Sequence, residues 1–544
     1  MSNANTNYSK SALPTLVTVF FFWGFVAASN GIFIPFCKTH FQLNQFQSQL
    51  IDTSFYGAYF FGSLLLYLVS SVSGLDILNR IGYKNGIIFG LLMSVIGALS
   101  LAFVSVSEGA TFPMVLGSFF LIALGFSLQQ TAAQPFAIAL GTAATGAHRL
   151  NLAGGINSLG TLLGPLAVSY VLFGDLNNAG SATIQSIQTL YLMLAGLFLF
   201  VALFFAMNKK LPTIQQEEHV EKSGKATTAL LMISIPTVLL LFFNDMVADE
   251  NRMYLVIGAL VVILGILFYA MSASSANREG WGAMQYPQLV LGMIAIFVYV
   301  GMEVTIQSNM GALLKQSEFG GLDEKFISQF ISLYWGSLMI GRWTGAVSVF
   351  NLSPSAKKLL TVLVPMIAFA VILGVNHLRG NDVSNLYVYI LCVLALVGAF
   401  LYANERPAKM LMTVAGLGTV AMLIGLLTTG TISTYAFISG GLCCSVMWPC
   451  IFALAVTGLG KYTSQGSAFL IMMILGGAII PPAQGVICDL DKLNPAGFFG
   501  MTYTHFSYII PLLCFAYMTW HAMRTRNILK SQGLDYDQQL AAGH

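Results

Sequence analysis

The chain has 544 residues, of which 56% are hydrophobic and only 8% charged, and its formal net charge is +3. Ordinary soluble domains carry about 25% charged residues, and no soluble core buries this much apolar surface, so most of the chain is expected to face lipid or other membrane helices. The basic residues form no single patch, which argues against a nucleic-acid partner, and the seven cysteines show neither CxxC nor Cys/His metal spacing.

Apolar runs of spanning length, about 17–25 residues each, begin near 14–36, 49–72, 85–106, 112–140, 149–173 and 186–207. No cleavage pattern precedes the first run, so it is expected to stay as a signal anchor. Within it Trp23 and Asn30, seven apart, share a face; Asn30 reads either as a ligand contact or as a helix–helix hydrogen bond. The corner from Gly74-Leu75-Asp76 to Arg80 and Lys84 joins the second and third runs. Asp76 and Arg80 there suit a charge pair that holds the inner side closed, or simply set orientation.

The fourth run carries three amides, Gln129, Gln130 and Gln134, and Pro135 frees the carbonyl of Thr131 one turn back. Amides both donate and accept, which suits a neutral polyhydroxylated ligand; the alternative is hydrogen bonding between membrane helices. Arg149 opens the fifth run and reads as a gating or orientation charge. Asn157, further along, has the same two readings as Asn30.

A polar stretch from Lys209 to Lys225 follows, then runs near 227–244, 253–271, 286–314, 326–350, 357–376, 384–403, 408–428, 431–458, 463–488 and 503–523. Glu303 is the one carboxylate near the middle of a run. An ionisable group at that depth costs at least a few kcal/mol and is a functional hypothesis by default. Gln307, one turn on, shares its face. The pair suits a hydroxyl acceptor, a cation ligand or a proton carrier; the alternative is a carboxyl held by neighbouring polar groups. Gly341-Arg342-Trp343-Thr344-Gly345 ends the 326–350 run, and Arg342 reads as a gating charge like Asp76 and Arg80. Trp448, beside Pro449, offers an aromatic platform for a sugar ring or simply packs. Tyr334, Trp335, Asn309 and Gln484 are weaker candidates.

Two stretches repeat. Gln134-Pro135-Phe136 with Leu159-Gly160 is matched by Trp448-Pro449-Cys450 with Leu475-Gly476; the prolines are 314 apart and the glycines 316 apart. A broken helix followed by a small-residue helix, repeated in two halves, is how secondary transporters build a midplane site. With the N-terminus inside, 18 of the 24 basic residues fall on the cytoplasmic side and six outside, a strong positive-inside bias that puts both termini in the cytoplasm.

At this point the residues resemble a known family. Thr131-Ala132-Ala133-Gln134-Pro135-Phe136 with Arg149-Leu150-Asn151-Leu152-Ala153, and the glycine and charge loop at Gly74–Lys84, are similar to the fucose/proton symporter family of the major facilitator superfamily. The resemblance covers the whole chain except two surplus hairpins. It implies an all-α polytopic membrane protein with the major facilitator fold: two six-helix halves plus about four extra transmembrane helices. The halves are 1–208 and 286–523, separated by a linker and hairpin at 209–285 and followed by a tail at 524–544. The second hairpin is expected near 384–428, with 357–403 as the alternative.

Departures from the family pattern narrow what is implied. The fucose symporter's first-span aspartate corresponds to Gly31 here, and its fourth-span glutamate to Gln130. Its fifth-span glutamine–asparagine pair becomes Gly154 and Asn157. Its Tyr-Val-Gly-x-Gln becomes Tyr299-Val300-Gly301-Met302-Glu303, and a glutamate there is expected of the glucose/galactose branch.

The expectation is therefore a hexose transporter of the bacterial inner membrane, working by alternating access and coupled to a proton or sodium through Glu303. Gln129, Gln130, Gln134, Asn157, Asn30, Glu303, Gln307 and Trp448 would bind the sugar. A passive uniporter and an exporter of another polar or amphipathic solute are the alternatives. No enzyme activity, cofactor, metal or nucleic acid is expected, and the partners are the sugar, its coupled cation and the bilayer around a monomer.

Overall fold

The computed structural model describes residues 12–42, 45–73, 76–142, 145–173, 183–209, 211–212, 222–242, 247, 251–350, 352–494 and 496–534. In lipid every backbone polar group must be satisfied within the segment, so an apolar chain of this kind is driven into helices. The first group is α1 (Ala12–His40), α2 (Gln45–Ser73), α3 (Ile77–Ile81), α4 (Tyr83–Ser105), α5 (Phe112–Ala139), α6 (Gly146–Phe173) and α7 (Ile184–Met207). A hairpin follows, α8 (Gly224–Phe242) and α9 (Arg252–Ala276). The remainder is α10 (Pro287–Ser308), α11 (Met310–Leu314), α12 (Glu324–Ala346), α13 (Pro354–Leu378), α14 (Ile390–Ala403), α15 (Pro407–Leu427), α16 (Gly430–Cys444), α17 (Met447–Val456), α18 (Thr463–Met472), α19 (Gly476–Leu493), α20 (Tyr503–Phe506) and α21 (Ile509–Ser531).

Among the described residues, 12 helices are long and apolar enough to cross a membrane. The spans read from the sequence that lie outside that set fall on α1, α6, α8 and α12. The protein is a multi-pass, all-α membrane protein. Large apolar side chains such as Phe89, Phe103, Phe200 and Leu391 stay exposed on it, as lipid-facing surface requires.

Two compact units divide the chain. The first comprises 1–227, 279–283 and 459–472; the second comprises 228–278, 284–458 and 473–544. In the first, α1 packs on α6, α4 on α5 and α7, and α2 on α5. Gly160 is what lets α6 reach α1, because a Cβ there would meet the backbone oxygen of Phe21. In the second, α10 packs on α19, and Gly476 has the same role against the backbone oxygen of Phe297. Here α15 packs on α16 and α21 much as α4 packs on α5 and α7, while α13 packs on α12 and α14. The hairpin helix α9 lies on α10 and α19.

Within the first unit, α18 packs against α2 and α5 although it comes from late in the chain. Asp76 fixes the corner beside it. Its Oδ1 caps α3 by accepting from the amides of Leu78 (2.9 Å) and Asn79 (3.2 Å), and it also accepts from Ser464 Oγ at 3.0 Å. The α8–α9 hairpin leaves and rejoins the first unit at one place, where the amides of Lys225 and Ala226 both donate to the Gly280 carbonyl. Gln465 spans the same place, accepting from the Ala283 amide at 2.6 Å, while Tyr67 bonds Ser223 Oγ at 2.7 Å.

Candidate functional site

The polar residues of the first unit gather on α1, α2, α5 and α6. Gln129 is fully buried, accepting from Trp23 Nε1 at 2.7 Å and donating to Ser94 Oγ at 3.1 Å. Both ends of that amide are therefore used by the scaffold. Gln130, on the neighbouring face, is half-buried and donates to the Tyr59 hydroxyl at 2.8 Å. Gln134 is buried, yet its amide has no hydrogen-bond partner among the described residues. Asn157 donates to the Phe20 carbonyl at 3.0 Å, joining α6 to α1. Asn30 lies on α1, and its side chain is outside the described residues.

Pro135 lacks the amide hydrogen that would bond Thr131, yet α5 runs unbroken through it. The freed Thr131 carbonyl accepts from Ser467 Oγ of α18 at 2.9 Å. Thr131 Oγ1 and Ser127 Oγ bond Ser63, closing a hydroxyl cluster between α2 and α5. Arg149 is buried at the C-terminal end of α5 and donates to the carbonyls of Ala137, Ile138 and Thr142 at 2.5–2.7 Å. It thus satisfies the orphan carbonyls that a helix end leaves. Arg80 is exposed in the last turn of α3. At Asp76, which lies between spans, burial pushes the carboxyl above the ordinary carboxylate range, against the lowering effect of bonds from Asn79, Ser464 and Leu78.

In the second unit the centre is Glu303, on α10. Its Oε1 accepts from the Tyr299 hydroxyl one turn earlier, at 2.8 Å, and lies 3.5 Å from Nη2 of Arg342, on α12. The two charged side chains are 13% and 14% exposed respectively, so each neutralises the other in a largely water-free place. Tyr334 donates to the Glu303 backbone carbonyl at 2.6 Å. Glu303 Oε2 and the Gln307 amide have no hydrogen-bond partner among the described residues. Trp448 is half-buried, its ring 6.3 Å from that of Tyr299 and stacked on Phe452. Asn309 and Gln484 bond each other at 2.7 Å.

Around Pro449 the helix breaks: α16 ends at Cys444 and α17 starts at Met447. Pro449 cannot bond the Ser445 carbonyl, and that carbonyl accepts from Arg342 Nε at 3.3 Å. Gly341 allows this approach, since a Cβ there would collide with Ser445 Oγ.

The acceptor at Glu303, the amide of Gln307 and the Trp448 face thus offer what a neutral polyol needs: hydroxyl acceptors and an apolar wall. Sequence reasoning missed the partners. The sequence marks Arg342 as a gating charge but not as the partner of the buried carboxylate it faces. Tyr59 and Ser467 carried no local signal, and Tyr299 stood out only as the first residue of the Tyr299–Glu303 motif. Trp23 and Gln129 were both noted, but nothing in the pattern joined them across 106 positions.

The solved structures that resemble this one have the major facilitator fold. A fucose:proton symporter from E. coli aligns with a TM-score of 0.62 at 21% identity, over 94% of this chain and 98% of that one. A major facilitator superfamily transporter crystallised in the outward conformation aligns with a TM-score of 0.63 at 22% identity, over the same shares. The chain has the major facilitator fold.

Its sequence is similar along almost its whole length to proteins named as sugar transporters. A glucose/galactose transporter of Brucella abortus is 29% identical over 523 residues, 96% of this chain and 95% of the relative. A putative glucose/galactose transporter of Helicobacter pylori is 26% identical over 520 residues, 94% and 96% of the two chains. The L-fucose-proton symporter of E. coli K12 is 23% identical over 518 residues, 92% and 90% of the two chains. No protein-family model matches.

Proposed function

We propose that this protein is a sugar transporter that takes up a hexose, glucose or galactose in type, by alternating access, with uptake coupled to a proton or sodium at Glu303. The observation that carries the reading is the buried carboxylate with one oxygen unengaged, flanked by Gln307 and by the Trp448 and Tyr299 rings. Whole-length similarity to proteins named for glucose, galactose and fucose transport supports a sugar as the solute. Gln130, Gln134 and Asn157, on the first unit, are further candidate hydroxyl-binding residues in this reading. The protein works as a monomer in the bacterial inner membrane with both termini cytoplasmic, in keeping with the positive-inside bias. The packing of α15 on α16 and α21, like that of α4 on α5 and α7, supports α13–α14, the 357–403 alternative to 384–428, as the inserted hairpin.

A passive uniporter is the second reading, and one observation favours it: Arg342 already neutralises Glu303 without an external cation. Uptake of labelled hexoses into vesicles with imposed proton or sodium gradients separates the two. Gradient-driven accumulation in the wild type that disappears in Glu303→Gln is the expected result. Accumulation that survives the substitution removes Glu303 as the coupling group, and no uptake of any hexose removes the sugar assignment.

A further inference from the structure

One guanidinium joins the carboxylate of α10 to the break between α16 and α17. Arg342 Nη2 faces Glu303 Oε1 at 3.5 Å while Nε of the same group donates to the Ser445 carbonyl at 3.3 Å. Both acceptors are held in place. Tyr299 and Tyr334 pin Glu303 at its side chain and its backbone, and the contact at Gly341 brings Ser445 against α12. A planar fork can serve two such acceptors at a fixed separation, whereas an ammonium is a point charge that cannot. The carbonyl it reaches is the one that Pro449 leaves without a partner.

We infer that Arg342 is a positioning residue that ties the occupancy of Glu303 to the shape of the α16–α17 break. The inference rests on the hexose-transport reading, whether coupled or passive. A sugar hydroxyl donating to the unengaged oxygen of Glu303 draws down the carboxylate's charge and weakens its hold on Nη2, and the guanidinium then bonds Ser445 more closely. When the sugar leaves, Glu303 draws the guanidinium back and loosens its hold on the break. A ligand shifts a conformational equilibrium only by contacts that differ between the two states, and this shared cation supplies such a contact.

The test uses the full-length protein, purified and reconstituted in liposomes, with equilibrium exchange of labelled glucose and galactose and melting temperature in detergent as readouts. Arg342→Lys keeps the charge beside Glu303 but loses the fork. It is expected to leave KM within about threefold while the exchange rate per folded molecule falls about tenfold. Exchange by Arg342→Lys at the wild-type rate overturns the inference. Arg342→Gln should lower the melting temperature, and Glu303→Gln with Arg342→Gln should recover it while exchange stays slow. Melting losses that simply add, or a double variant exchanging as fast as wild type, also overturn it. If Arg342→Gln does not fold, the lysine variant decides. Wild-type protein that exchanges neither hexose refutes the transport reading instead, and the melting cycle then judges the shared cation alone: non-additive losses support it and additive losses remove it.

Discussion

The two copies of the proline repeat use one backbone device for different chemistry. At Pro135 the helix continues, and the carbonyl left free at Thr131 is met by the neutral hydroxyl of Ser467. At Pro449 the helix breaks, and the carbonyl left free at Ser445 is met by Arg342, which also faces Glu303. The first copy is closed by neutral groups; the second is wired to a buried ion pair. Equal scaffolds therefore carry unequal charge. The asymmetry places the buried ion pair on α10 and α12, beside the α16–α17 break.

Four experiments break or sharpen this contrast. The largest effect is expected at the glycines, where the copies should behave alike. Gly160→Val and Gly476→Val each drive a side chain into the backbone of α1 or α10, and each should cost about 3 kcal/mol or more, read as loss of folded protein on size-exclusion chromatography. If only one of the two fails, the scaffolds are not equivalent.

Next come the capping groups, where the copies should differ. Arg342→Gln leaves Glu303 uncompensated and should cost about 3 kcal/mol, whereas Ser467→Ala removes one neutral hydrogen bond worth about 1 kcal/mol. Similar shifts in melting temperature for both would erase the proposed asymmetry.

The amides of the first copy separate binding from scaffold. Gln134→Ala should raise KM about tenfold, near 1.4 kcal/mol, with little change in melting temperature. Gln129→Ala should do the reverse, because Trp23 Nε1 loses its acceptor in the core. A KM effect at Gln129 alone would mean that the ligand lies on the other face of α5.

The smallest effect is expected at Asp76. Its folded carboxyl titrates above the ordinary value of 3.8. A raised acid contributes stability below that pH and loses the contribution as pH rises through the folded value, so at neutral pH the buried charge is a mild cost. Asp76→Asn keeps the cap and the Ser464 acceptor without the charge and should match or exceed wild type by at most about 1 kcal/mol. A clear loss of melting temperature at pH 7 in this variant would show that the charge itself holds the corner.

The fold was readable because each membrane helix announces itself by some twenty apolar residues in a row, a signal that needs no knowledge of neighbours. Glu303 was readable for the same reason, as a charge interrupting such a run. Its counter-ion was not. Arg342 lies near the end of the 326–350 run, where a cationic residue reads as a gating or orientation charge, and only the packing of α12 brings it to Glu303. Gln129 shows the opposite limit. Three amides in six residues marked the right helix, but neighbouring positions on a helix face about 100° apart, and only contacts from α1 and α4 determine which amide the scaffold takes. The partners that Gln129, Thr131 and Glu303 find on other helices lie tens to hundreds of positions away, beyond any local pattern.

The α8–α9 hairpin begins and ends at the paired Lys225–Ala226 and Gly280 backbone. Its two ends are already in hydrogen-bond contact, so a chain lacking residues 228–278 could be rejoined there by a short turn without moving either flank. Such an element is a detachable module in the topological sense. It is a natural site for excision, for exchange with another hairpin or for grafting a soluble domain, with the remaining helices kept in their order.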